Sequence, residues 1–154
     1  MTYIYLNIYN NLIKLTRNKE LYNVNKQDTF YQRMIVFFFN LAFLLKEYKN
    51  DESKENLQKF FDFSVRQIEL SIIEIGYGDA SINKKMKEYV NLLFSIIDKI
   101  HSWELKTNDQ KIDIIKFYRD DIINYQNIVN YYEKYRKYLI KNTFNNLTKD
   151  IITL

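Results

Sequence analysis

The chain has no cysteine, no proline and only two glycines in 154 residues. Without cysteine there is no disulfide framework, no thiolate nucleophile and no cysteine-ligated metal, which fits a reducing compartment. Without proline, no position removes a backbone donor from a helix. A single histidine, His101, excludes a histidine-based metal cluster. Long apolar runs are also missing. The most hydrophobic stretch, "MIVFFFNLAFLL" (Met34 to Leu45), is bounded by Arg33 and Lys46. It falls short of the roughly 20 apolar residues a membrane span needs, and so is expected to be a buried helix. The start of the chain lacks a short apolar core with a small-residue cleavage site, so no secretory signal is expected. Charge of one sign is scarce as well: 23 basic against 19 acidic side chains leave +4. That is far from the basic excess of a dedicated nucleic-acid binder, and DNA is not an expected partner.

What remains is enough to fold. Hydrophobic residues make up 47% of the chain and aromatics 17%, with 14 Tyr and 11 Phe. Enrichment in Ile, Asn, Lys, Tyr and Phe matches an AT-rich coding bias, so aromatic or lysine abundance alone carries no functional weight.

Apolar spacing predicts helices throughout. Tyr5, Ile8, Leu12 and Leu15 mark a first face, and residues 17–27 read as a connector. Asp28 is the expected N-cap of a second helix. Phe30, Met34, Phe37, Leu41, Leu44 and Tyr48 form one stripe of it, and Val36, Phe39 and Phe43 cover the opposite side. A helix apolar nearly all round belongs in the middle of a bundle. After a polar turn at 49–56, Leu57, Phe61, Val65, Ile68 and Ile72 mark a third helix. Ile82, Met86, Val90, Leu93, Ile97 and Ile100 mark a fourth, running to about Trp103. Lys106 to Asp109 punctuate. A fifth helix carries Ile112, Ile115, Tyr118 and Ile122, and a sixth, starting near Asn124, carries Ile128, Tyr132, Tyr135 and Leu139. A short helix follows from Asn142. The expected fold is one compact all-α bundle of five to seven helices over residues 1–154, with a central apolar helix.

Both glycines fall in "EIGYGDASINKKMK" (Glu74 to Lys87). Gly76 follows the last periodic residue of the third helix, the position where a chain commonly turns through a left-handed conformation. Gly78 is expected to help the reversal, and Asp79 or Ser81 to cap the next helix. Lys84, Lys85 and Lys87 then crowd the first two turns of that helix, where positive charge is disfavoured by a few tenths of a kcal/mol per residue. Three readings stand: Asp79 and Glu88 offset them, they face something negative, or they are a solvated face.

Catalytic machinery is sparse. His101 at a helix end reads as structural, and the glycines fit neither phosphate-loop pattern. Asp120 and Asp121 point in different directions on a helix and read as surface. Asp62 and Glu69 lie two turns apart, but an ion pair between Asp62 and Arg66, four residues apart, is the simpler account. No catalytic, metal or cofactor-binding residue is expected. "YQNIVNYYEKYRKYL" (Tyr125 to Leu139) interleaves aromatics with Lys134, Arg136 and Lys137. It reads first as an amphipathic helix and second as a base-stacking or membrane-surface segment.

Residues Asp28 to Leu45 and Phe60 to Lys87 resemble the ubiquinol–cytochrome c chaperone family. The resemblance rests on Asp28, Thr29 and Arg33 before the long apolar helix, then Phe61 and Asp62. The corner follows: Glu74, Gly76, Gly78 and Asp79, then Ile82, Lys84, Lys85, Met86 and Lys87. It is closest over residues 9–103. The chain departs from the family pattern at Asn40, where members often carry His, and at residues 94–97, which read "FSII". The resemblance implies a non-enzymatic assembly factor for the cytochrome bc1 complex that binds newly made cytochrome b or a related membrane protein. Mitochondrial members pair with a small partner subunit and associate with ribosomes. It further implies peripheral membrane contact at the cytoplasmic face of a bacterial inner membrane or, alternatively, on the mitochondrial matrix side. Arg33, Glu74, Gly76, Gly78, Asp79, Lys84, Lys85 and Lys87 become the candidate partner-binding residues. The competing reading is an RNA- or ribosome-binding module acting through a basic helical face.

Overall fold

The computed structural model describes residues 2–22, 29–49, 54–149 and 151–154. Among the described residues there are seven α-helices: α1 (Thr2–Thr16), α2 (Phe30–Tyr48), α3 (Lys54–Glu74), α4 (Asp79–Ile100), α5 (Asn108–Tyr118), α6 (Tyr125–Lys141) and α7 (Phe144–Leu147). Two 3₁₀ turns, Lys19–Leu21 and Trp103–Leu105, complete the elements, and no strand occurs among the described residues. The all-α bundle expected from the apolar spacing is what forms.

α2 is rich in Phe, a mediocre helix former. It holds because most of its side chains are buried: Met34 through Leu44 and Tyr48 are all removed from solvent. Packing therefore decides its conformation, and α1, α3, α4 and α6 surround it. Its start is fixed by Thr29, whose hydroxyl accepts from the Gln32 N–H at 3.1 Å, while the Gln32 side chain accepts from the Thr29 N–H at 3.3 Å. This reciprocal cap satisfies two orphan donors and places the boundary at Thr29 rather than at Asp28. Asp28 itself lies outside the described residues, as do 23–27 of the connector and 50–53 of the polar turn.

Asn40, in the middle of α2, is fully buried and ties three helices together. Its amide donates to Thr16 Oγ1 at 3.3 Å, and its side-chain oxygen accepts from the Tyr131 hydroxyl at 3.3 Å. Its carbonyl accepts from the Tyr135 hydroxyl at 2.7 Å. Unmade, such buried polar groups would cost about 1–3 kcal/mol each. Against α6, Phe39 stacks on Tyr132 with ring centroids 5.4 Å apart, and Phe43 meets Trp103 of the second 3₁₀ turn edge-on at 5.2 Å.

The third helix turns differently from its expected stripe. Leu57, Phe60, Ser64, Ile68 and Ile72 are buried, while Phe61 and Val65 are only partly so. The pairing expected between Asp62 and Arg66 is also absent among the described residues: Arg66 bonds Glu69, and Asp62 accepts from Gln58 at 3.1 Å. Asp121, expected at the surface, is instead buried. It accepts two bonds from the Arg119 guanidinium, at 3.0 and 3.2 Å, and one from Gln32 at 2.8 Å, which fastens the α5–α6 loop to the start of α2.

Candidate functional site

The glycine corner forms at the junction of α3 and α4. Gly76 has φ +100°, a conformation that side chains resist, and its N–H closes the end of α3 on the Ile73 carbonyl at 3.0 Å. This is the left-handed cap anticipated from sequence. Gly78 is different. It is the N-cap of α4 with φ −73° and ψ 161°, and a Cβ there would meet nothing within 4 Å. The corner therefore requires one glycine, not two. Neither Asp79 nor Ser81 is the cap: they are the first and third residues of α4, and no side chain bonds the helix start.

Glu74, Asp79, Lys84 and Lys87 are exposed around this corner. Lys85 pairs with Glu88 at 3.4 Å and lies 5.6 Å from the centre of the Tyr77 ring. The hydrogen bond that Lys85 donates to the Glu88 carboxylate raises its pKa above the ordinary value. Among the described residues Lys84 and Lys87 have no carboxylate partner. Even so, Glu74, Asp79 and Glu88 match the three lysines in number, so the corner is locally neutral. Arg33 opens into a separate cleft of 170 Å³, shared with Arg17, Tyr9 and Ser71. Burial there lifts the Tyr9 phenol to about 12. The structure thus gathers seven of the eight candidate residues at one corner and leaves Arg33 on a cleft beside α1.

An apolar opening lies at the other end of the α3–α4 hairpin. A groove of 390 Å³ runs between the start of α3, the end of α4 and the end of α2. Leu45, Leu57, Phe61, Phe94 and Ile97 floor it. Phe94 is 52% exposed, with its ring 5.9 Å from that of Phe61. Lys46, Lys49 and Lys54 rim it, with Gln58 and His101, and no carboxylate lines it among the described residues. Lys46 is committed to Glu104 at 2.7 Å, and that contact holds the Glu104 carboxyl below its ordinary range. Lys49 and Lys54 are exposed and have no such partner among the described residues. Lys54 is the first residue of α3, where a cation opposes the helix dipole.

The sequence offered one signal for this groove, Phe61, whose place on the expected buried stripe is instead a groove wall. Lys54 was expected in the polar turn at 49–56 and instead belongs to α3. His101 follows the last residue of α4, is exposed, and belongs to the groove rim.

On the opposite flank of α2 the ionic groups are satisfied mutually. Arg136 meets Glu47 at 3.0 Å, and Lys111 and the Trp103 indole N–H both bond Glu133, at 2.9 and 2.8 Å. Burial alone would raise the Glu133 pKa, but these two donors outweigh it and the carboxyl sits below its ordinary range. Tyr131, Tyr132 and Tyr135 are buried, so the aromatic-basic segment of α6 offers those rings to the core and not to bases. Burial drives their hydroxyl pKa values well upward. Among the described residues no cluster of three or more His, Asp or Glu could hold a metal. No family model matches the chain, and no match was found among curated proteins or solved structures, so the groove and the corner are read from their own geometry.

Proposed function

We propose that this protein is a non-enzymatic holding chaperone for a membrane-protein client, acting in assembly of the cytochrome bc1 complex. The observation that carries this reading is the groove, where exposed Phe94 and half-buried Leu45, Phe61 and Ile97 meet over buried Leu57 to form one apolar cleft. Concave, mostly apolar clefts of a few hundred Å³ with a few polar groups at the rim are a common form of binding site. The identity of the client, cytochrome b, comes from the resemblance of residues 28–45 and 60–87 to the ubiquinol–cytochrome c chaperones. The corner lysines serve as a second contact, with a partner subunit, the ribosome or a membrane surface. No described helix is long and apolar enough to cross a membrane, which fits peripheral contact at the cytoplasmic face or the matrix side.

The test is deletion of the gene in its own host. Ubiquinol-dependent cytochrome c reduction and the amount of assembled cytochrome b should both fall. Unchanged levels of both would reject the proposal. Crosslinking from the groove should recover cytochrome b peptides; recovery of ribosomal RNA alone would favour the RNA-binding reading.

A further inference from the structure

We infer that the strap after α6, described over residues 142–149 and 151–154, opens from the bundle as a unit hinged at Asn142, and that its closure braces the α3 wall of the groove. The opening stands on the strap's own geometry. Only its consequence for a client rests on the holding role proposed above.

The hinge is the first argument. α6 ends at Lys141, and Asn142 and Thr143 leave it in extended conformation, with ψ 155° and 163°. The α6 side of that joint is pinned. The Tyr48 hydroxyl donates to the Leu139 and Asn142 carbonyls at 2.9 and 3.1 Å, and the Asn142 amide donates to the Tyr138 carbonyl at 2.8 Å. Beyond the joint, α7 is a single turn of four residues. Isolated helices shorter than about 12 residues are marginal in water, so α7 holds only while its anchors do. Those anchors are Phe144 and Leu147, with Ile152 further on, all buried. Two hydrogen bonds among the described residues tie the strap to α1. Asn7 donates to the Thr148 carbonyl at 3.3 Å, and the Ile152 N–H donates to Asn11 at 3.2 Å. A cleft of 410 Å³, lined by Asn7, Asn10, Thr148 and Ile151, lies between strap and helix. Ile151, beside the Ile152 anchor, is 66% exposed. Few apolar anchors, a wet seam and peripheral hydrogen bonds mark a segment that opens at less than the free energy of global unfolding.

The brace is the second. The Phe144 ring packs against Tyr48 of α2, with centroids 6.0 Å apart, and against Phe60 of α3, at 6.1 Å. The next residue along α3, Phe61, meets Phe94 in the groove at 5.9 Å, and Leu57, one turn earlier, lines the same groove. One turn of α3 therefore carries a ring set on the strap and a ring set on the groove. Packed elements transmit displacement rather than absorb it, so that turn shifts for both together. With the strap open, Tyr5 remains as a clamp on the turn, through its ring contact with Phe60 and its bond to Asn56 at 3.2 Å. Occupancy of the groove and closure of the strap are then linked, and such linkage is reciprocal.

The experiment is hydrogen exchange on the full chain, read by NMR. The amides of Asn146, Leu147, Thr148, Lys149 and Ile152 should exchange as a group, roughly a hundredfold faster than those of α2. Phe144→Ser should speed exchange of the strap and of α3 residues 58–61 by roughly tenfold. The α2 and α6 amides should stay slow in that variant, which shows that the bundle is folded. Asn11→Ala keeps every apolar anchor and loses one tie, so it should speed the strap by a smaller factor, about threefold. Strap amides as slow as those of α2 would overturn the inference. So would collapse of α2 protection in Phe144→Ser, since the strap would then be part of the core. Unchanged exchange at 58–61 when the strap loosens would overturn the brace. All of this is read without cytochrome b, so failure of the strap and failure of the holding role are separate results.

Discussion

The two flanks of α2 contrast in how they finish their surfaces. Toward α5 and α6, Trp103, Tyr132 and Tyr135 close the core, and three cations, Lys46, Lys111 and Arg136, meet three carboxylates, Glu47, Glu104 and Glu133. Toward α3 and α4, the last turn of the same helix ends in an open groove with Phe94 half exposed and Lys49 and Lys54 without carboxylate partners among the described residues. The difference separates stability from recognition. Groups that complete one another are spent on holding the fold, whereas groups left incomplete are available to a second molecule.

Matched truncations should break that comparison most directly. Trp103→Ala on the closed flank removes a fully buried indole and one of the donors to Glu133, and should cost about 3–5 kcal/mol in urea unfolding. Phe94→Ala on the open flank should cost about 1 kcal/mol or less. Similar losses for the two would show that the groove is a structural part of the core.

The corner sharpens the contrast at the next level. Gly76→Ala forces a side chain into φ +100° and should destabilise by about 1–3 kcal/mol. Gly78→Ser leaves the backbone unstrained and supplies a missing cap, so a gain of a few tenths of a kcal/mol is expected. Thermal melts of the two variants should move in opposite directions.

Acid should weaken the closed flank. Glu104 and Glu133 have folded pKa values below their ordinary 4.5, so their contribution is present above that value and is lost as pH falls through the folded values. Both are partly exposed, so the loss should be about 1 kcal/mol or less. It should appear in unfolding curves taken between pH 6 and about pH 3, and Lys46→Met should reduce the part due to Glu104. The smallest effect belongs to Lys49→Glu with Lys54→Glu. Stability should stay within about 0.5 kcal/mol while the sign of the groove rim changes, which a melt paired with a binding assay would read.

Much of the fold was legible because most of these helices bury one face. The stripes at Ile8 and Leu12, at Met34 to Tyr48 and at Ile128 to Leu139 all turn inward. α3 misled where a polar residue, Ser64, occupies the core position and an apolar one, Phe61, does not. Periodicity counts apolar side chains and cannot tell a core wall from a groove wall. The corner was readable through Gly76, whose rarity signals a backbone need, while Gly78 imitated that signal without the need. The groove was hidden because three helix ends build it, and no stretch of sequence contains more than part of its lining. Asp121 was missed for a similar reason, since its partner Gln32 lies 89 residues away.

The lone indole has a practical consequence. Trp103 touches Phe43 and Tyr132 edge-on and has no exposed surface, so its fluorescence emission reports on the closed flank only. It should red-shift on unfolding and stay silent when something docks between α3 and α4. Phe94→Trp would place a second emitter where the first is blind, giving each flank of the molecule an optical signal of its own.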